Sequence, residues 1–268
     1  MVNFIQISSE KQAIKEVKKK INRIYCPRCK CKHYIKVLPE NRYHCTKCRY
    51  KFSLKILLGF KHSKLTYRQI LKAIHCFSNK YTLNNVQDNL EVSYVTARHL
   101  FTKIRHKLPQ NNEKIFGDVI TDVAYVGKKK NGNQILVSGV VNREFTKVII
   151  EIVTDQEQAT LEKFIYDNVI THSFITTDSH ASYNDLEWYG YGVRRENHSK
   201  FQLKYSCPIE RVWALLKTFI KRTYHHVWKE KLPEYLVEFK ARFNHREIVS
   251  NPHNLLTYMI NGCSKSFT

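Results

Sequence analysis

The sequence predicts an α/β protein in which a small metal-binding module and a helical region precede a strand-rich domain. Three observations carry that expectation. Two Cys-x-x-Cys pairs, Cys26-Pro-Arg-Cys29 and Cys45-Thr-Lys-Cys48, stand 15 residues apart. Between Leu65 and Arg105 apolar residues recur every three or four positions, the helical period. After Pro109-Gln-Asn-Asn112, the best linker in the chain, the pattern turns to β-rich runs. With 268 residues, 43% of them hydrophobic, the chain can build one large domain or two to three small ones, which excludes wholesale disorder. No apolar stretch approaches the roughly 20 residues that span a bilayer. Met1–Glu10 lacks a signal-peptide pattern, so a soluble chain of intracellular type is expected.

Charge divides the chain in the same place. Forty-five Lys and Arg against 23 Asp and Glu give a net charge of +22. Residues 1–110 hold 24 basic and 5 acidic side chains, whereas residues 111–268 hold 21 and 18. A basic part ahead of a near-neutral one points to a polyanion-binding module followed by something else. A ribosome- or membrane-associated protein is the plainer alternative.

The elements follow in order. Ser9–Arg23 reads as a short basic helix with Ile14, Val17 and Ile21 on one side, either a solvated face or a phosphate-contacting arm (arm, residues 1–22). Cys26, Cys29, Cys45 and Cys48 supply four thiolates around a hairpin, the pattern of a structural zinc ribbon over residues 23–55. Cys31 and His33 are spare donors. Leu65–Phe77 and Leu83–Leu90 read as helices, and Ser93 is a fitting N-cap for a third. Helix, short turn and polar-capped helix make a helix-turn-helix pattern over residues 60–110, or else an ordinary helical connector. On its second helix Val95, Leu100 and Ile104 are expected inward and Tyr94, Arg98 and Lys103 outward, and Arg105 joins the DNA-contact candidates.

In residues 115–246 a three-strand meander is expected from Asp118–Gly127, Gln134–Asn142 and Lys147–Val153, then a helix over Glu157–Val169. Phe174–Asp178 reads as a short buried strand ending in a carboxylate, and Pro208–Lys221 as a helix begun by proline. Residues 247–268 are read as a tail. Three acids thus stand on three elements: Asp122, Asp178 and Glu210. Convergent carboxylates suit Mg²⁺ or Mn²⁺, and two such ions about 3.5–4 Å apart can serve phosphoryl transfer. Lys217 follows Glu210 by two helical turns and could contact a phosphate beside them. Taken singly, each acid is as easily a surface residue, with Asp118, Asp155, Asp185 and Glu187 as competitors.

The order of modules resembles the bacterial insertion-sequence transposases of the zinc-ribbon type, related to the Merlin group. Asp122-Val-Ala-Tyr-Val-Gly127 is similar to the family's first segment. Thr177-Asp-Ser-His-Ala-Ser-Tyr183 with Tyr189-Gly-Tyr191 is similar to its second. Asn197-His-Ser199, Ile209-Glu-Arg-Val-Trp213 and Leu216-Lys217 resemble its third, and Tyr224-His-His-Val227, Tyr235–Phe239 and Arg242–Arg246 its tail. The resemblance covers Cys26 to about Arg246. It implies an RNase H-like catalytic domain with Asp122, Asp178 and Glu210 as acid triad and metal ligands, and Lys217 as accompanying base. It also implies double-stranded DNA as partner (terminal inverted repeats and target), cleavage, and attack by the freed 3′-hydroxyl. Assembly as a homodimer or larger on DNA is implied, with a cytoplasmic, nucleoid-associated location in a prokaryote or a nuclear one in a eukaryote.

The sequence departs from the family at Val123 (usually Glu), Lys128 (a second Gly) and Tyr205-Ser-Cys207 (usually His-Thr-Asn). Such losses leave room for a catalytically inactive or domesticated DNA-binding regulator. An RNase H-type nuclease on RNA–DNA hybrids is a third reading. Trp213 and Trp228 are expected in the core. His198 either orients a carboxylate or phosphate or bonds backbone, while His225 and His226 bind phosphate, pack or hold a metal. Arg242 and Arg246 either flank DNA or pair with Glu238.

Overall fold

The computed structural model describes residues 2–37, 41–61, 63–110, 113–127, 134–178, 183, 185–196, 207–225 and 228–265, the side chains of 196, 207 and 263–265 excepted. The expectations for Lys128, His198, Tyr205, Ser206, His226 and the Cys207 side chain lie outside these residues. The chain forms two compact units, Met1–Leu108 with Glu247–Thr268, and Pro109–Arg246.

In the first unit, α1 (Glu10–Lys19) is capped by the Ser9 hydroxyl and buries Ala13, Glu16 and Val17, leaving Lys11, Lys15 and Lys19 outward. It packs on α2 (Tyr67–Ser78), so it is no free arm. The Glu10 carboxylate accepts the Tyr67 and Arg68 backbone N–H groups at 2.8 and 3.0 Å, satisfying orphan donors at the start of α2. Strands β1 (Tyr34–Val37), β2 (Arg42–Cys45) and β3 (Lys51–Phe52) pair antiparallel in that order, with Tyr43 and Phe52 stacked at 5.6 Å.

Helices α3 (Leu83–Leu90) and α4 (Tyr94–Arg105) are joined by Glu91-Val-Ser93, with Glu91 left-handed at φ 53° and the Ser93 hydroxyl capping α4. Leu90, Ala97, Leu100, Phe101 and Ile104 are buried, and Phe77 meets Phe101 edge-on at 5.0 Å. Two expectations for α4 are corrected. Val95 is 52% exposed because it lies on the first turn, away from α2. Arg105 is only 4% exposed and reaches back to the Thr102 hydroxyl, so it packs rather than faces outward.

The second unit holds a five-stranded sheet in the order β6-β5-β4-β7-β8. β4 (Asp118–Val126), β5 (Ile135–Asn142) and β6 (Val148–Ile152) form the expected antiparallel meander. After α5 (Gln158–Asn168), β7 (Phe174–Asp178) returns parallel beside β4, and β8 (Gly192–Glu196) lies parallel outside it. A meander extended on its first strand by parallel crossovers is the RNase H-like topology. The pattern missed β8 because Gly-Val-Arg-Arg-Glu offers only one apolar side chain.

Alternation along β4 sorts the two faces. Val119 packs with α5 through Leu161, Phe164 and Ile165. Ile120, Ala124 and Val126 face α6 (Cys207–Thr223) and α7 (Leu232–Asn244) through Ile209, Val212, Trp213, Leu216, Leu236 and Phe239. The tail motifs serve this packing. Glu238, fully buried, accepts from Arg242 and Tyr224. The Asn244 amide bonds both the N–H and the carbonyl of Val148 at 2.8 Å, closing the outer strand β6.

Residues 247–265 are not a tail. After α8 (Arg246–Val249), α9 (Pro252–Lys265) buries Leu255, Leu256, Met259 and Ile260 and packs on α2. His253 Nε2 meets the Val2 carbonyl at 2.9 Å, and its ring lies 4.3 Å from Phe4. The two chain ends therefore complete one unit.

Candidate active site and zinc centre

The four cysteine sulfurs all lie within 4.8 Å of one another, with Cys26 to Cys48 and Cys29 to Cys45 each at 3.5 Å. Tetrahedral zinc with bonds of about 2.3 Å spaces its sulfurs by about 3.8 Å, so the quartet fits that ion. Backbone geometry prepares it: each knuckle closes by an amide hydrogen bond, Lys30 to the Cys26 carbonyl and Arg49 to the Cys45 carbonyl. The Cys45 thiol is pulled down to about 6, first by the Cys48 backbone N–H and also by that of Lys47. Cys31 stands outside the quartet, its sulfur accepting the His33 N–H at 3.4 Å.

The candidate catalytic residues lie in the other unit. Asp122 is central in β4 and paired across the ladder with Gly139. Ile120 pairs with Thr176 in parallel register, and each strand runs two residues further, to Asp122 and to Asp178. Period-two alternation then sets both carboxylates on the α6 side of adjacent strands. Tyr183, 1% exposed, registers both: its hydroxyl is pushed up by burial and then by the charges of Asp178 and Asp122.

Helix α6 contributes the remainder. Ile209, Val212, Trp213 and Leu216 face the sheet, and Glu210 and Lys217 are exposed on the flank of the helix beside Trp213. Trp213, one turn after Glu210, donates its indole N–H to Asp122 Oδ2 at 2.8 Å. Its ring occupies the space above Gly139, where a Cβ would stand 2.4 Å from the indole edge. Trp213 is thus buried, as expected, and also a ligand of the carboxylate, a role the sequence reading did not give it. The signal was available: a buried indole N–H needs an acceptor. Trp228, by contrast, is 67% exposed rather than core.

The acids come together unequally. Among the described residues the cysteines form the one group of three or more metal-ligating side chains within 4.8 Å of each other, so Asp122, Asp178 and Glu210 stand wider apart. The hard oxygen donors of Asp122 and Asp178 suit a Mg²⁺-type ion on their shared face. On the other module Tyr94, Arg98 and Lys103 are exposed along α4.

Residues 114–244 match the ISXO2-like transposase domain. No curated protein matches the chain significantly. Solved structures similar to it include the catalytic core of bovine immunodeficiency virus (BIV) integrase, at 10% identity and TM-score 0.34, covering 47% of this chain and 80% of that one. The HTLV-2 integrase catalytic core in complex with magnesium aligns at 10% identity and TM-score 0.35, covering 52% and 91%. A simian T-cell lymphotropic virus intasome in complex with a PP2A regulatory subunit aligns at 14% and 0.32, covering 62% and 66%. Among the described residues no helix is long and apolar enough to cross a membrane. Residues 114–244, just under half of the chain, therefore match the ISXO2-like transposase domain, and the sheet within them has the RNase H-like topology.

Proposed function

We propose that the protein is a DDE-type DNA transposase that binds the terminal inverted repeats of its element, cuts there in a metal-dependent reaction and transfers the freed 3′-hydroxyl to target DNA. The observation that carries this is the placement of Asp122 and Asp178 on one face of adjacent strands, with Trp213 donating to Asp122, in a segment that matches a transposase domain. Asp122, Asp178 and Glu210 would hold the catalytic Mg²⁺ or Mn²⁺, which when bound activates the attacking oxygen and stabilises the leaving one. Glu210, exposed on the first turn of α6, would supply its ligand from the helix side. Lys217, two turns on and also exposed, neutralises a phosphate beside the carboxylates. The indole N–H donates to Oδ2 of Asp122 and fixes its carboxylate plane. The zinc quartet has no open position, so its part is structural. End recognition belongs to the ribbon and to the exposed face of α4, and a dimer on DNA would bring two ends together.

The test uses duplexes carrying both flanks of the protein's own gene, incubated with wild type and with Asp178→Asn, in Mg²⁺ or EDTA, and maps new 3′ ends. Metal-dependent cuts at matching inverted sequences, absent with the variant, are expected. Binding without any cut, in Mn²⁺ as well, would replace this reading with a DNA-binding regulator derived from a transposase. Normal cutting by Asp178→Asn would overturn the site assignment.

A further inference from the structure

The two zinc knuckles share a backbone feature. The residue after the second cysteine of each adopts the left-handed conformation, Lys30 at φ 57° and Arg49 at φ 56°. Each donates its amide to the carbonyl of the knuckle's first cysteine, so the turn fixes this geometry. Glycine is the residue that takes such a conformation without a Cβ penalty. Both positions carry a long cation instead, and both side chains are exposed, the Lys30 ammonium lying 5.6 Å from the Tyr25 ring centroid. The surroundings reinforce it. Arg28, Lys32, Lys36, Arg42, Lys47 and Lys51 are all exposed, and Glu40 is the one acidic residue from 23 to 52.

We propose that Lys30 and Arg49 form a two-pronged clamp for the sugar–phosphate backbone of duplex DNA. The two knuckles meet at the sulfur quartet, Cys29 against Cys45 and Cys26 against Cys48. The residues that follow Cys29 and Cys48 therefore leave one rigid centre from its two equivalent turns. A guanidinium and an ammonium held this way bind phosphate oxygens without reading bases, so the clamp adds affinity and register while α4 supplies sequence choice. Stability favours glycine at these two positions and phosphate binding favours a cation. This inference rests on the DNA-binding reading above.

The experiment compares wild type, Lys30→Gly/Arg49→Gly and Lys30→Gln/Arg49→Gln, all as full chains. Affinity for a gene-flank duplex and for a random-sequence duplex is followed from 0.05 to 0.5 M KCl, with zinc content and thermal midpoint measured in parallel. Each phosphate contact contributes about 0.9 to the slope of log affinity against log salt. Loss of two should lower the slope by about 1.8 and weaken binding roughly 30-fold at 0.15 M salt, on both duplexes. The glycine pair should melt at or above the wild-type midpoint and the glutamine pair should not gain, with zinc retained by both. Unchanged slope and affinity, or zinc loss as the only effect (the cations then merely offset thiolate charge), would overturn the clamp. A wild-type protein that binds neither duplex would instead sink the DNA-binding reading itself.

Discussion

Trp213 Nε1 donates to Asp122 Oδ2 across 2.8 Å, joining helix α6 to the central strand at the candidate catalytic carboxylate. Gly139, opposite Asp122 on β5, makes the approach possible by leaving room for the indole. Replacing Trp213 with Phe keeps most of the ring and removes the donor. A hydrogen bond to a charged group contributes about 1.5–3 kcal/mol, so the variant should unfold at lower urea and cut DNA at least tenfold more slowly. Gly139→Ala should be worse for folding, since its Cβ meets the ring and not a flexible chain end. Urea titrations beside single-turnover cleavage would check both; wild-type cutting by Trp213→Phe would remove the indole from the mechanism.

Helix α9 belongs to the first unit although it follows the second in sequence. Met259→Asp places a charge among α2-facing side chains, where Met259 is 1% exposed. It should cost about 3 kcal/mol or more. Melting of the first unit and loss of duplex binding are expected. Hydrogen exchange should show protection retained in β4 and β5, and equal loss in both units would refute the division.

Arg98 and Arg105 lie two turns apart on α4 but have opposite surroundings. Arg98→Ala should weaken duplex binding and lower the salt slope by about 1, with folding unchanged. Arg105→Ala should chiefly destabilise the fold, because Arg105 is 4% exposed. Binding isotherms at several salt concentrations, paired with thermal melts, separate the two outcomes.

Two histidines tie stability to pH. His75 titrates below its ordinary value through burial and then the nearby His253; His245 does so through burial and then Lys147. A histidine lowered in the folded state takes up its proton more readily when unfolded, so stability rises with pH across this range. It should be fully present above about pH 6.5 and decline as pH falls below that, toward the lowered folded values. Denaturation midpoints at pH 7.5 and pH 5.5 would test this, and His75→Asn should flatten the dependence for the first unit. A midpoint that rises on acidification would contradict the assignment.

Local information was legible without coordinates. The zinc quartet could be read because a tetrahedral ion constrains residue type and spacing together, and the capped helices α2–α4 because periodicity and Ser or Thr caps act within a few residues. The β4–β6 meander and the strand ending in Asp178 were legible through alternation and β-branched content. What stayed hidden depends on neighbours distant in sequence. β8 exists because Phe174–Asp178 offers it a ladder, and α9 is held by α2, some 180 positions earlier. The burial of Arg105 and the exposure of Val95 follow from which side of α4 meets α2 and α3. Asp122 and Trp213 are 91 residues apart, and no spacing rule brings them together. The sequence by itself determined which side chains can bind metal, cap helices and carry charge, because those are properties of residue and short-range pattern. Tertiary structure decided which of them share a face, since register, crossover and a missing Cβ at Gly139 act only once the sheet and helix have packed.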